Sequence, residues 1–250
     1  MTSKGAVAVV AVAAMLVLAG CGGGTNGTGA ATETPTETPA PTETPTVSTV
    51  SYPDGLSEDG FENATLFWEN HKDAMTSGPS YAVRMDVTAG SETQTLRAST
   101  DPDSERIRSQ TDRNGELDYD IYYADGTQYI RQAQEDNYGT TDATFRSAAE
   151  GLNGGQFLST VLLLDLDATE VATTDDGTVL TYEIRGPRSS SEGIAEADGT
   201  VRITTDGQIV SFEYDLVSSD GREVSVTWER TGVGQTTVEE PEWIGQAQSG

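Results

Sequence analysis

The chain has 250 residues and carries 41 acidic against 14 basic side chains, a formal net charge of -27. That balance excludes nucleic-acid binding, which sets Lys and Arg against phosphates, and excludes electrostatic docking on anionic lipid. With a single cysteine, Cys21, the chain has no internal disulfide, and with a single histidine, His71, it lacks the parts for a histidine-based zinc site or a Ser-His-Asp triad.

At the N-terminus Lys4 precedes an uninterrupted apolar or small run, Ala6 to Leu18, which leads into Leu18-Ala19-Gly20-Cys21. That order is a secretory signal, and the run falls short of the roughly 20 residues that span hydrocarbon. No arginine pair precedes it, so export follows a Sec-type route. The four residues resemble the lipobox of secreted lipoproteins. The resemblance implies that Leu18, Ala19 and Gly20 form the cleavage motif, that residues 1–20 are removed, and that Cys21 becomes the lipid-modified N-terminus. A thiolate is a strong nucleophile for alkylation, which suits that role. The protein is then expected on the outer face of the cell membrane, held through lipid at Cys21.

Residues 22–51 are built of Gly, Thr, Pro, Glu and Ala, with Thr-Glu-Thr-Pro repeated at Thr32 to Pro35, Thr36 to Pro39 and Thr42 to Pro45. Such a composition buries little apolar surface and predicts a disordered stalk. At about 3 Å per residue it reaches roughly 90 Å when extended. Asn26-Gly27-Thr28 and Asn63-Ala64-Thr65 are N-glycosylation sequons, so Asn26 and Asn63 are candidate acceptors.

The acids are scattered along the domain, and the only lysines are Lys4 and Lys72. This pattern resembles proteins of extreme halophiles, where molar salt shortens the Debye length to about 3 Å and screens carboxylate repulsion; the competing reading is an acidic partner-binding face, which the scatter of the acids disfavours. Residues 52–245 are predicted to form one domain, with 246–250 a frayed tail.

In that domain a helix is expected from Ser57 to about Met75, with Phe61, Ala64, Trp68, His71 and Met75 as its apolar stripe. From Ser80 the period falls to two. Tyr81, Val83, Met85 and Val87 alternate, and Thr93 to Ser99 and Glu105 to Thr111 read as further strands. Asn114-Gly115 leads into Leu117, Tyr119, Ile121 and Tyr123, and Asp125-Gly126 into Thr127 to Gln132. Both dipeptides tolerate positive φ and predict tight hairpins.

A short helix capped by Thr141 or Asp142 carries Phe145, Ala148, Ala149 and Leu152. A second is read from Phe157 to about Leu164, although Val161 to Leu166 also suits a buried strand. Strands resume at Ala168 to Thr174 and Val179 to Arg185, and Gly186 to Ala197 reads as a loop. Thr200 to Thr205, Gln208 to Val217 and Arg222 to Arg230 form a meander. Val224, Val226 and Trp228 share one face, and Val210, Phe212, Tyr214 and Leu216 share another. Pro241 and Trp243 are expected to lie over the sheet edge.

Alternating acids occur at Asp101/Asp103/Glu105, Asp118/Asp120 and Asp165/Asp167. The first set has Arg106 where a calcium loop needs glycine, and such pairs arise by chance in so acidic a chain. No metal, cofactor or catalytic residue is expected, and the reading is of a protein that is not an enzyme.

The lipobox, the stalk, one N-terminal helix, serial hairpins, a central helical interruption and a final meander resemble the superfamily of the outer-membrane lipoprotein carrier and the mycobacterial lipid-binding lipoproteins. More narrowly the chain is similar to secreted haloarchaeal lipoproteins of unknown function. The resemblance, over about residues 52 to 245, implies an α+β, mostly β fold. A single curved antiparallel half-barrel sheet of about 9–11 strands would carry the N-terminal helix and central helical segment on its concave face. It also implies an apolar cavity for a lipid or other hydrophobic ligand. Phe61, Trp68, Phe157, Val161, Leu162, Tyr214 and Trp228 are the candidate lining residues, although such stripes more often form packed core. The alternative is a structural or interaction module of the cell envelope whose concavity is closed by side chains; on either reading a monomer is expected.

Overall fold

The computed structural model describes residues 46–189 and 193–248. The lipobox residues Leu18, Ala19, Gly20 and Cys21, the sequon at Asn26 and the stalk as far as residue 45 lie outside the described residues. The folded domain reaches further back than residue 52: Thr46–Val50 make a turn, with the Val50 N–H donating to the Thr46 carbonyl at 3.0 Å, and Val47 and Val50 pack on the core.

Two tiny strands, β1 (Leu56–Ser57) and β2 (Gly60–Phe61), pair with each other and precede α1 (Ala64–Ser77). The eleven remaining strands form one open antiparallel sheet. They are β3 (Tyr81–Ala89), β4 (Glu92–Asp101), β5 (Arg106–Arg113), β6 (Glu116–Ala124), β7 (Thr127–Gln132), β8 (Asn137–Asp142), β9 (Leu164–Thr174), β10 (Gly177–Pro187), β11 (Ile194–Thr204), β12 (Ile209–Ser218) and β13 (Glu223–Thr231). Between β8 and β9 come α2 (Phe145–Leu152) and α3 (Gly155–Val161), and α4 (Ile244–Ala247) lies near the end. The spatial order is β8-β7-β6-β5-β4-β3-β13-β12-β11-β10-β9. Two meanders therefore join at the β3–β13 pairing, where strands far apart in sequence meet. The fold is the expected α+β, mostly β curved sheet.

Local chemistry explains most boundaries. Asn114-Gly115 and Asp125-Gly126 turn with both residues at positive φ, as tight hairpins require. The expected helix start at Ser57 is wrong. Gly60 sits at φ +93°, and a Cβ there would lie 2.7 Å from the Leu166 carbonyl, so the chain turns back instead of coiling. Asn63 begins the helix, its Oδ1 accepting from the Leu66 N–H at 3.1 Å.

Further along, α2 is capped by Thr144 with Ser147 in a reciprocal box, not by Thr141 or Asp142, because β8 occupies those positions. The reading of a helix to Leu164 also fails. α3 stops at Val161, and Leu164, Leu166 and Ala168 alternate with Asp165 and Asp167 as buried and outward residues of β9. Much of the expected loop over Gly186 to Ala197 is strand, since β10 runs to Pro187 and β11 starts at Ile194.

The register puts the two residue sets of the last meander on one face. Phe212 faces Trp228, Tyr214 faces Val226 and Leu216 faces Val224. With Tyr81, Val83, Met85 and Val87 of β3 and Leu180, Tyr182 and Val201 beyond, they make the apolar concave surface, covered by Phe67 and Met75 of α1 and Leu158 and Val161 of α3. Burial at about 25 cal/mol per Å2 of apolar area is what holds these layers together. α2 covers a smaller cluster, Ile107 and Tyr123. Arg146 of α2 pairs with Glu69 at 2.7 Å and also with Asp73, tying α2 to α1.

Candidate functional site

The helices do not cover the whole concave face. Across the middle strands the register sets Met85, Leu96, Thr111 and Tyr119 in one row, and Val83, Ala98, Ser109, Ile121 and Ile130 in the next. α2 shields the end of these strands that carries Ile107 and Tyr123, with Ile121 packed partly against the rim of that cluster. Tyr119, Ile121 and Ile130 remain half-buried. Over them hangs the turn between α2 and α3, and the two enclose a groove of about 380 Å3 open to solvent. Met85, Leu96 and Ile121 make its apolar floor, and Leu152, Gly154 and Gln156 form the overhang.

At the mouth, Arg113 Nε meets Asp118 Oδ2 at 3.0 Å, and Gln94 and Thr111 add polar edges. The arrangement suits a molecule with an apolar body and a polar end, since a few placed polar groups in an apolar concavity fix orientation.

The overhang is held rigidly. Asn153 is 2 % exposed and donates through Nδ2 to the Tyr81 hydroxyl at 3.0 Å and the Ala149 carbonyl at 2.9 Å. Its own carbonyl accepts from Trp228 Nε1 at 2.9 Å, and Ser109 Oγ donates to the Leu152 carbonyl at 3.0 Å. Burial pushes the Tyr81 phenol up to about 12, so it stays a neutral partner in this network.

The residues singled out in the sequence as candidate lining lie mostly elsewhere. Val161, Tyr214 and Trp228 are 0 %, 3 % and 1 % exposed and pack within the main core, where Phe212 stacks on Tyr214 at 5.3 Å and on Trp228 at 5.6 Å. Phe61 sits on β2, not on α1, with its ring 5.2 Å from Phe67. Phe157 and Leu162 are half-buried against the same core, and the Tyr214 hydroxyl donates to the Phe157 carbonyl at 3.4 Å. Trp68 is half-buried on α1, with Lys72 Nζ 5.7 Å from its ring. Asn63 is exposed at the helix cap. None of these lines the groove.

Sequence reasoning missed Leu96, Tyr119, Ile121 and Leu152 as site residues. The alternation through Leu117 to Tyr123 did place Tyr119 and Ile121 on one face; how far α2 reaches over that face is a tertiary outcome.

Four of the alternating acids have structural partners. Asp118 pairs with Arg113, Asp120 with Arg108 at 3.0 Å, and Asp167 with Arg185 at 2.7 Å, while Asp101 accepts from Ser104 Oγ at 2.6 Å. Among the described residues no three metal-ligating side chains come together.

Fold and groove together define an open, curved antiparallel sheet with helices in its concavity and a part-apolar groove between them. The chain belongs to the family of unknown function DUF7537, whose profile matches residues 6–247, a span that takes in Cys21. No curated protein matches the sequence. Among solved structures it is similar to the lipoprotein LppX of Mycobacterium tuberculosis, at 10% identity and a TM-score of 0.40 over 71% of this chain and 98% of that one. It is similar to LprF of Mycobacterium bovis, at 11% identity and 0.39 over 75% and 100%. A conserved protein of Thermus thermophilus matches at 10% identity and 0.38 over 73% and 97%.

Proposed function

We propose that this is a non-enzymatic extracytoplasmic protein, anchored through lipid at Cys21, whose concave groove holds a lipid or other hydrophobic ligand. The observation that carries the reading is the groove beneath the fixed overhang, where half-buried Tyr119 and Ile121 line an apolar concavity floored by the buried Met85 and Leu96. An apolar surface in a rigid concavity favours a guest that removes it from water. Leu18-Ala19-Gly20-Cys21 and the polar stretch behind it support the anchor and its distance from the membrane.

The test is organic extraction and mass spectrometry of the full chain in detergent, wild type beside Ile121→Arg. Ile121 is only half-buried, so the arginine charges the groove without unfolding the sheet. Wild type should carry a defined hydrophobic species that the variant loses by about tenfold or more, the effect of roughly 1.4 kcal/mol. Identical extracts from the two proteins refute the reading.

The second reading, an envelope module without a ligand, is favoured by one specific observation: between β9 and β13 the concavity is filled by α1, α3 and the Tyr214–Phe212–Trp228 stack. Under it the two extracts are the same.

A further inference from the structure

The convex side of the sheet carries a second hollow. Residues 232–248 leave β13 and cross the outer face of β5 to β8, where Trp243 and Ala247 bury against Tyr122. Between this strap and the sheet lies a cleft of about 720 Å3. Its floor is one cross-strand row of successive partners: Gln110, Asp120, Arg131 and Tyr138. Its roof includes Glu239, Glu240, Glu242 and Trp243.

The charges in the cleft are unevenly matched. Asp120 is fully engaged: Arg108 donates from Nε at 3.2 Å and from Nη2 at 3.0 Å, Gln110 Nε2 at 3.2 Å and Trp243 Nε1 at 2.9 Å. Arg108 is thereby neutralised. Arg131 stands opposite Asp120 in register yet forms no ion pair among the described residues; it interacts with the neighbouring Tyr138 hydroxyl, and its Nε is buried without a partner. Glu239, Glu240 and Glu242 are exposed on the strap and form no ion pair among the described residues either. The rings of Tyr138 and Trp243 stand 6.1 Å apart beside them.

We propose that this cleft binds a small zwitterion bearing an additional cationic group, of which arginine and lysine are the simplest. The ligand carboxylate meets the unpaired Arg131, a charge-assisted contact whose fork geometry suits a carboxylate. The cationic end lies against the strap glutamates and a ring face of the Tyr138–Trp243 pair, where ion pairing and cation–π attraction add. A purely anionic ligand is opposed by three glutamates, and a purely cationic one leaves Arg131 beside a like charge. The volume lies within the usual range of small-molecule sites. The inference is independent of the concave groove.

Isothermal titration of the full chain with L-arginine, and with agmatine, which is arginine without its carboxylate, separates the contributions. Arginine should bind, and agmatine about tenfold or more weakly, matching loss of a hydrogen bond to a charged group. Arg131→Gln should lower arginine affinity by about tenfold or more and should not weaken agmatine, whose repulsion by the Arg131 charge it removes. It breaks no ion pair and loses only the contact with the Tyr138 hydroxyl, so its melting temperature should stay within a few degrees of the wild type and report a folded variant. The double variant Glu240→Gln/Glu242→Gln should weaken both ligands. Absence of arginine binding, equal affinity for agmatine, or indifference to Arg131→Gln in the folded variant overturns the proposal.

Discussion

At the scale of single residues the buried histidine is the clearest case of an environment fixing chemistry. His71 is 2 % exposed, with Phe67 and Trp68 flanking its ring and Nδ1 accepting from the Ile209 N–H at 3.3 Å. The other ring nitrogen therefore carries the proton of the neutral form. Burial, with the Arg230 charge adding, lowers its pKa from 6.5 to about 3. Because the folded value lies below the unfolded one, the contribution to stability is complete above about pH 6.5. It is lost as pH falls toward 3, where the unfolded chain takes up a proton that the folded chain refuses, at up to about 1.4 kcal/mol per pH unit. His71→Gln keeps an acceptor for Ile209 and removes the titration. Urea unfolding across that window should then give a shallower loss of stability for the variant, by about one proton's worth, while the carboxylate contributions common to both cancel. Parallel profiles would show that the imidazole is protonated without unfolding.

At the scale of elements the least self-sufficient part of the sheet is its β6–β8 end. β8 is mostly exposed and pairs on one side only, so its order depends on the strap that places Trp243 against Tyr122, Tyr129 and Tyr138. Trp243→Ala removes that packing and one hydrogen bond to buried Asp120. The cost should approach the roughly 3–5 kcal/mol of a large buried aromatic, concentrated locally. Hydrogen exchange should accelerate in β7 and β8 and stay unchanged in β10 to β12; uniform acceleration would mean that the strap stabilises the whole fold. β8 is also the strand that periodicity does not reveal, because Asn137-Tyr138-Gly139-Thr140-Thr141-Asp142 has a single large apolar residue and owes its pairing to the neighbour and the strap. Where local chemistry is decisive, at Asn114-Gly115, Asp125-Gly126 and the alternation through β3, β6 and β12, the elements are legible. Leu162 to Leu166 is not: so short an apolar run satisfies helix and strand periods equally, and the outward acids Asp165 and Asp167 are the only sign of a strand. The candidate lining residues fail to meet at the groove for a related reason. A stripe in sequence shows which side chains turn inward, and only the packed helices decide which of those are covered.

At the scale of the whole molecule the strongest influence is charge. A net -27 places carboxylates over both sheet faces, hairpin turns and strap, and most ion pairs that offset them are solvent-exposed, such as Arg84–Asp86 at 2.7 Å and Arg222–Asp220 at 2.8 Å. Exposed pairs contribute about 0–1 kcal/mol each and weaken further in salt, so they do not balance the repulsion. Screening does, because the Debye length contracts from about 10 Å at 0.1 M to about 3 Å at 1 M, below the spacing of carboxylates that have no partner. The melting temperature should therefore rise steeply with KCl over that range. A gain of several kcal/mol corresponds to a rise on the order of 10 °C for a domain of this size. If screening is the whole effect, the curve flattens above about 1 M, where the length scale is already shorter than the charge spacing. Continued rise would mean that folded-state carboxylates hold hydrated cations beyond simple screening. A melting temperature that is flat or falling between 0.1 and 1 M would remove salt adaptation as the reason for the acidic surface, and would leave the unpaired strap glutamates beside Arg131 as one acidic feature still requiring its own partner.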